Sequence, residues 1–145
     1  MPPSFTDSGR YASVHESPNG PGDARPTAAQ IVQDNDLIGK WQDKVILLTG
    51  GSSGLGIDEV RTLAMTGARV IFTSRNVEKG EKVKADILKQ ADDEGSPKPR
   101  VEVLKMDLQS LQSVRQAAEE LKSMTGQLNI LINNAGQYEN DSGGE

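Results

Sequence analysis

The sequence has no cysteine, a single histidine and only 3% aromatic residues among its 145. Without cysteine the chain can form neither disulfides nor thiolate metal sites, and His15 with scattered carboxylates offers no cluster of metal ligands. So few aromatic rings leave no platform on which nucleic-acid bases could stack. These absences indicate a protein without bound metal, and the missing cysteine fits a reducing compartment, for which we expect the cytoplasm.

Long hydrophobic runs and an excess of positive charge are also missing. No stretch approaches the ~18 consecutive apolar residues of a transmembrane helix, and residues 1–26 lack the apolar core of a signal peptide. Lys plus Arg number 16 against 21 Asp plus Glu, so the chain presents no electrostatic footprint for nucleic acid or an anionic membrane. We expect small molecules or proteins as partners, with no nucleic acid and no membrane span.

Three segments follow one another along the chain. Residues 1–26 are rich in Pro, Ser, Gly and Asp, so they cannot bury enough surface to offset their ordering entropy, and we predict a disordered tail. Residues 27–43 are a lead-in segment, in which Thr27 can cap a short amphipathic helix that reaches towards Leu37. Residues 44–145 alternate short apolar runs with segments of helical period, which predicts one domain.

The pattern of this third segment predicts a parallel sheet. The strand candidates are Val45–Thr49, Arg69–Ser74, Val101–Met106 and Leu128–Asn133. Helices are predicted for Leu55 to Met65, for a stretch after Asn76 that carries Val83 and Ile87, and for a stretch capped by Ser110 with Leu111, Val114, Ala118, Leu121 and Met124 on one face. Because tight turns cannot join parallel strands, single helices between strands imply right-handed crossovers. The predicted class is α/β, a doubly wound parallel sheet.

A glycine-rich break, "TGGSSGLG", lies where the first predicted strand turns into the first helix. Gly50 can make the turn, while Gly54 and Gly56 can let backbone amides and the helix N-terminus approach a phosphate. A nucleoside triphosphate loop would need Lys and then Ser or Thr where Ile57 and Asp58 stand. The G-x-G-x-x-G dinucleotide spacing is absent as well, since the spacing here is G-x-x-x-G-x-G. The break therefore predicts an anion site of variant spacing.

The spacing T-G-x-x-x-G-x-G resembles the cofactor loop of the short-chain dehydrogenase/reductase family. Two further motifs follow in order at the ends of predicted strands: "MDL" at Met106–Leu108 is similar to the family's adenine-contacting strand end, and "NNAG" at Asn133–Gly136 to its fourth-strand motif. The lead-in "TAAQIVQDNDLIGK" resembles the retinol dehydrogenase and WW-domain oxidoreductase branch, with "KWQD" as an apparent insertion. The resemblance implies the N-terminal, cofactor-binding half of a Rossmann-type oxidoreductase, so that residues 44–145 form a partial dinucleotide-binding domain of about four strands.

The resemblance also implies a set of cofactor contacts. Asp107 would contact the adenine, and Asn134 with Ala135 would lie beside the adenine ribose. Ser53 and Leu55 would line the loop near the pyrophosphate and the nicotinamide half. The complete set of expected cofactor-binding residues is Gly50, Ser52, Ser53, Gly54, Leu55, Gly56, Ser74, Arg75, Asp107, Leu108, Asn134, Ala135 and Gly136.

The end of the second predicted strand, "VIFTSRN", favours NADP(H). An acidic residue there would bind a free ribose 2'-hydroxyl and repel a 2'-phosphate, but Ser74 and Arg75 stand in its place. A guanidinium can form a bidentate, charge-assisted pair with phosphate. We therefore expect NADP as the cofactor, and the same Arg75 argues against a site for S-adenosylmethionine.

Three of these residues have structural alternatives. Arg75 could be a solvated surface cation, and Asp107 could cap the third helix instead of contacting adenine. Asn134 could satisfy backbone groups of a neighbouring strand. Trp41 is expected to pack as a hydrophobic plug beneath the first strand.

The hydride-transfer chemistry of the family needs residues that this sequence lacks. It uses a Tyr as acid/base and a Lys four residues later that lowers the phenol pKa. The only tyrosines are Tyr11 and Tyr138, and His15 and Ser142 stand four residues beyond them. We assign no catalytic residue and expect the NADP(H)-binding portion of an oxidoreductase acting on an alcohol or ketone, truncated before Tyr-x-x-x-Lys and inactive alone.

A non-catalytic module is the alternative. It would bind the dinucleotide without turnover or would bind another protein. With the strand order 3-2-1-4, "LNILINN" would form an exposed apolar edge that can pair with another chain.

Overall fold

Four short aliphatic segments lie side by side in one sheet. The structure is a computed structural model, and it describes residues 9–95 and 97–136. The strands are β1 (Val45–Leu48), β2 (Arg69–Ser74), β3 (Arg100–Lys105) and β4 (Ile130–Ile132). The helices are α1 (Ala28–Asp34), α2 (Leu55–Met65), α3 (Val77–Asp93) and α4 (Leu111–Met124), preceded by a 3-10 helix, Ser13–His15. Tyr138 and Ser142, like the start of the predicted tail, lie outside the described residues.

The order of the strands is β3-β2-β1-β4, and every pair is parallel, which confirms the expected order and fold class. Leu48 at the end of β1 pairs with Phe72 of β2 and with Ile132 of β4. The carboxyl ends of these three strands therefore meet at one edge of the sheet. The strand order changes direction between β1 and β4, which is where sheets of this class bind ligands.

Every side chain of β1 is buried, and they alternate between the two faces of the sheet. Ile46 and Leu48 pack with residues of α2 and α3, including Val60 and Ile87. Val45 and Leu47 point the other way and pack with Ala117 of α4. Helices thus cover both faces, as the doubly wound prediction requires.

Polar side chains begin the helices where the sequence predicts. The Thr27 side chain accepts a hydrogen bond from Gln30 N, and the Ser110 side chain accepts one from Ser113 N. The predicted bounds of α2 are confirmed, and Gly67 ends it with a positive φ of 82°. The helix predicted to reach towards Leu37 is shorter, since α1 ends at Asp34.

The predicted apolar face of α4 was wrong at two positions. Ala118 is exposed, whereas its neighbour Ala117 is only 2% exposed and packs on the sheet. Leu111, the first residue of α4, is 74% exposed. Leu121 and Met124 do pack beside Ala117, as expected.

The fourth strand is shorter than predicted at both ends. At its start, the Asn129 side chain accepts the hydrogen bond of Val45 N through Oδ1 at 2.8 Å, in place of a backbone carbonyl. After its end, Ala135 N donates to Thr49 Oγ1 at 3.0 Å instead of to a backbone partner. The strand is confined to three residues, although the backbone of Asn129 still donates to Val45 O at 2.9 Å. β1 and β3 differ from the prediction by one residue, ending at Leu48 and at Lys105.

The lead-in segment is fastened to the C-terminal end of α2. Gly39 N donates to Met65 O at 3.0 Å and Trp41 N to Thr66 O at 2.8 Å, and the Trp41 side chain packs against the core as predicted. Tyr11 Oη donates to a carboxylate oxygen of Asp34 at 2.8 Å. A disordered tail over residues 1–26 stays a prediction. Across the described residues, no helix is both long and apolar enough to cross a membrane.

Candidate functional site

A cleft of about 810 Å³ opens at the carboxyl edge of the sheet, where the segments after β1, β2, β3 and β4 converge. All of the expected cofactor-binding residues line it: Gly50, Ser52, Ser53, Gly54, Leu55, Gly56, Ser74, Arg75, Asp107, Leu108, Asn134, Ala135 and Gly136. Motifs that are far apart in the chain are therefore brought together on one surface. Their individual roles toward a ligand stay predictions.

The glycines of the turn between β1 and α2 serve two different purposes. A Cβ on Gly50 would lie 2.9 Å from Ala135 Cα, and a Cβ on Gly51 would lie 2.6 Å from the Phe72 side chain. A Cβ on Gly56 would collide with the Gly50 carbonyl oxygen. These three glycines are thus required by packing within the protein. Gly56 also lines the cleft, so the expectation that it helps a phosphate to approach stays a prediction beside this packing role.

Gly54 is the glycine that leaves space for a ligand. It has a φ of +53°, and a Cβ built on it would meet no atom within 4 Å. It is the N-cap of α2 and offers no side-chain cap to the first amides of that helix. An uncapped N-terminus facing a cleft favours an anion, because unpaired amides and the helix dipole both attract negative charge.

The hydroxyl of Ser74 belongs to the framework of the site. Ser74 is 3% exposed, and its Oγ lies 2.9 Å from Ser52 Oγ and 2.7 Å from Asn76 O. A carbonyl can only accept, so the single Ser74 proton goes to Asn76, and the Ser52 hydroxyl donates to Ser74. Ser74 therefore joins the glycine turn to the end of β2.

Arg75 and Lys79 form the cationic wall of the cleft. Both side chains are exposed and line it, and neither makes an ion pair with any described residue. Lys79 was missed by the sequence reasoning. Its backbone N donates to Asn76 Oδ1 at 3.0 Å, which fixes the first turn of α3 and puts Lys79 on the cleft side. Its position could have indicated this role, because Lys79 lies in the first turn of the helix that follows the second strand.

Four more lining residues were not among the expected cofactor-binding residues: Thr73, Asn76, Met106 and Gln109. Thr73 acts on the loop, since its Oγ1 accepts from Gly50 N at 3.1 Å and its carbonyl accepts from Gly51 N at 3.1 Å. These residues adjoin the predicted motifs, so a wider window around each motif would have included them.

Asp107 shapes the loop after β3. Its Oδ1 accepts from Gln109 N at 3.0 Å, and its own N donates to Ser113 Oγ at 2.9 Å. Ser110 is the residue that caps α4, so the alternative in which Asp107 caps the helix was wrong. Asp107 is half-buried at the cleft beside the exposed Leu108, a placement compatible with a contact to a flat heterocycle.

Asn134 ties β4 to the glycine turn. Its Nδ2 donates to Thr49 O and to Gly50 O, each at 3.2 Å. This confirms the alternative in which the amide satisfies backbone groups of a neighbouring strand. Among the described residues, no group of three or more His, Asp or Glu side chains is placed to hold a metal ion.

Comparisons with known proteins agree with this geometry. The profile described as short chain dehydrogenase matches residues 44–144. The short-chain dehydrogenase/reductase prx1 of Penicillium roqueforti is 48% identical over 128 residues, which are 88% of this chain and 35% of that protein. The WW domain-containing oxidoreductase of Gallus gallus is 39% identical over 113 residues, or 78% of this chain and 25% of that protein.

Comparison with solved structures also finds a short-chain oxidoreductase. A metagenomic short-chain oxidoreductase in complex with NADP superposes with a TM-score of 0.58 at 30% identity, over 68% of this chain and 41% of that one. This chain spans about a third of the length of the Penicillium relative and a quarter of the Gallus relative.

Proposed function

Because the chain belongs to the short-chain dehydrogenase family, we propose that its cleft binds the adenosine diphosphate part of a nicotinamide dinucleotide, NADP(H) in preference to NAD(H). The observation that carries the proposal is the pair of cations, Arg75 and Lys79, on the cleft wall at the end of β2. An ion pair with another described residue would have neutralised them, and neither has one.

The residues fit the parts of such a cofactor. The uncapped N-terminus of α2 and the open space at Gly54 suit the pyrophosphate. Arg75 can grip a ribose 2'-phosphate with two hydrogen bonds, and Lys79 adds a second positive charge. Asp107 and Ala135 both line the cleft, and we propose, from the family resemblance, that Asp107 contacts the adenine and Ala135 its ribose.

We extend the proposal to the reaction of the whole protein, the oxidoreduction of an alcohol or ketone. When bound, the nicotinamide accepts or supplies the hydride. We propose that this chain alone does not turn over, because the sequence contains no Tyr-x-x-x-Lys. The Tyr11 hydroxyl donates to Asp34 and does not line the cleft, and Tyr138 lies outside the described residues. A cytoplasmic location stays a prediction from the sequence.

The test is a calorimetric titration of the chain with NADPH and with NADH. We expect NADPH to bind about tenfold or more tightly than NADH, since charge-assisted pairs to a phosphate are worth more than about 1.4 kcal/mol. In Arg75→Asp the preference should reverse, because a carboxylate repels the 2'-phosphate and accepts from a free 2'-hydroxyl.

Arg115→Asp is the matched control, because it makes the same charge change at an exposed position of α4, outside the cleft. It should leave both affinities within about twofold. Equal affinity for NADPH and NADH would overturn the NADP preference. A folded chain that binds neither would overturn the whole assignment.

A second candidate function, protein binding, is favoured by one observation on β4. This strand pairs with β1 on one side, and no other described strand pairs with it. Leu131 is 53% exposed and Leu128 is 42% exposed. An apolar strand edge of this kind can add a strand from another chain. Sedimentation equilibrium tests it: association that Leu131→Lys abolishes supports pairing through β4, whereas a monomer at every concentration argues against self-pairing.

A further inference from the structure

The first turn of α3 packs unusually close to the sheet. Gly80 in this turn is buried, and a Cβ built on it would lie 2.6 Å from Val103 Cγ1 and 3.2 Å from Ser74 Cβ. A residue with a side chain would therefore push the helix away from β2 and β3, whereas glycine allows the close approach. The start of α3 is thus held at a fixed distance from the end of β2.

The backbone carbonyl of Asn76 joins this turn to β2. Its oxygen accepts from Ser74 Oγ at 2.7 Å and from Gly80 N at 3.1 Å. Ser74 is buried, which limits the competition from water for the first of these bonds. Two donors on one oxygen therefore fix the connection between the strand and the helix.

The side chain of Asn76 orders the backbone of Lys79. Asn76 is the N-cap of α3, with extended backbone angles of φ -103° and ψ 106°, and its Oδ1 accepts from Lys79 N at 3.0 Å. The first turn of a helix leaves its amides without intrahelical partners, and a capping oxygen satisfies one of them. Without this bond the turn would fray, and Lys79 would no longer project from a fixed backbone.

Asn76 lies in the chain between the two cations of the cleft wall. Arg75 precedes it and Lys79 follows it within the first turn of α3, and all three residues line the cleft. Glu78 belongs to the same turn but does not line the cleft. A lysine side chain already loses rotamer entropy when it binds a phosphate, so a mobile backbone beneath it would raise the cost of binding.

We propose that Asn76 is a positioning residue, which acts through Lys79 and sets the preference of the cleft for a ribose 2'-phosphate. This inference rests on the proposed binding of NADP(H). Because Asn76 caps α3, only the side chain of Lys79 has to be ordered when the phosphate binds. The contribution appears with NADPH and not with NADH, since a free 2'-hydroxyl carries no charge to pair with the lysine.

Calorimetric titration of Asn76→Ala with NADPH and with NADH tests the assignment. We expect the ratio of the two affinities to fall about fivefold, somewhat less than for loss of a whole charge-assisted hydrogen bond, with the affinity for NADH unchanged within about twofold. Asn76→Ser keeps a capping oxygen and should retain the ratio of the unmutated chain. Asn76 is exposed, so both variants should fold.

Thr27→Ala is the matched control, because it removes the same kind of cap from another helix. Thr27 Oγ1 accepts from Gln30 N at 3.2 Å at the start of α1, and no residue of α1 lines the cleft. This variant should lower the free energy of unfolding, as Asn76→Ala does, but should leave the ratio of affinities unchanged. If Asn76 only stabilised its helix, the two variants would behave alike.

A Lys79→Gln background separates action through Lys79 from any other route. There Asn76→Ala should no longer change the ratio. The inference is overturned if Asn76→Ala leaves the ratio unchanged in the unmutated chain, if Asn76→Ser or Thr27→Ala lowers it equally, or if the loss persists beside Lys79→Gln. If Arg75→Asp still reverses the preference, only this inference fails. Equal affinity of the unmutated chain for NADPH and NADH would overturn the proposed preference as well.

Discussion

The two edge strands of the sheet, β3 and β4, are held in different ways. β3 is fixed by burial, since Val101 is 4% exposed and Leu104 is 1% exposed. β4 exposes Leu131 and only half-buries Ile130 and Ile132, and polar side chains next to its two ends, Asn129 and Asn134, add hydrogen bonds to β1 and to the turn after it. The comparison teaches that β3 is anchored by fully buried side chains, whereas β4 has only half-buried side chains on the core and is positioned in addition by side-chain hydrogen bonds to β1 and the turn that follows it.

The contrast between β3 and β4 can be tested most directly by making the same Leu→Ala substitution on both edge strands. Leu104→Ala should lower the free energy of unfolding by about 3 kcal/mol, because it opens a cavity in a filled core. Leu131→Ala should cost less than about 0.5 kcal/mol, since the side chain is already half in solvent. Urea unfolding followed by circular dichroism measures both, and equal losses would contradict the contrast.

Removing the amide of Asn134 tests how β4 is held. Asn134→Ala leaves Thr49 O and Gly50 O without this donor, so we expect a loss of about 1 to 2 kcal/mol in the free energy of unfolding. The affinity for NADPH should fall as well, because Asn134 fixes the carbonyl of the first glycine in the turn. Asn35→Ala, which removes an exposed amide bonded to Ile31 O, is the control and should change neither quantity.

The smallest expected effect concerns the ion pair that holds β3 to β2, and it is measured as stability against pH in the acid range. Arg69 Nε and Nη2 donate to the two carboxylate oxygens of Glu102 at 2.6 and 3.0 Å, linking β2 to β3. These hydrogen bonds from Arg69 lower the pKa of Glu102 below its ordinary 4.5. The pair therefore stabilises the fold above about pH 4.5, and this contribution is lost as the pH falls through the lower folded-state pKa.

Because both side chains are partly exposed, we expect this contribution to stay within about 1 kcal/mol. Glu102→Gln should flatten the acid limb of stability against pH, measured by thermal unfolding between pH 3 and pH 6. Glu120→Gln, at an exposed position of α4, should reproduce the unmutated profile. An unchanged profile in Glu102→Gln would mean that the pair contributes nothing.

The local features of the fold could be predicted from the sequence. Hydrogen bonds in which a side chain replaces a backbone partner on a distant segment could not. The period of α2, the caps at Thr27 and Ser110 and the strand order depend on neighbouring residues or general rules. The hydrogen bond from Val45 N to the Asn129 side chain, by contrast, joins residues that lie far apart in the chain.

The same division holds at the site. The strand-end motifs predicted which residues meet at the cleft, because parallel strands bring their carboxyl ends together. They did not show that Gly56 is required by the Gly50 carbonyl, or that the Ser74 hydroxyl is bonded to Asn76. Such roles depend on atomic contacts between segments, which a single sequence does not encode in any short pattern.

The bonds that fasten the glycine turn have a consequence for the thermodynamics of ligand capture. Thr73 holds the amides of Gly50 and Gly51, and Ser74 holds Ser52, before any ligand arrives. The conformational entropy of this loop is thus given up when the chain folds, and little remains to be lost on association. The site is preorganised, and amide order parameters for residues 50–52 equal to those of β1 would report it.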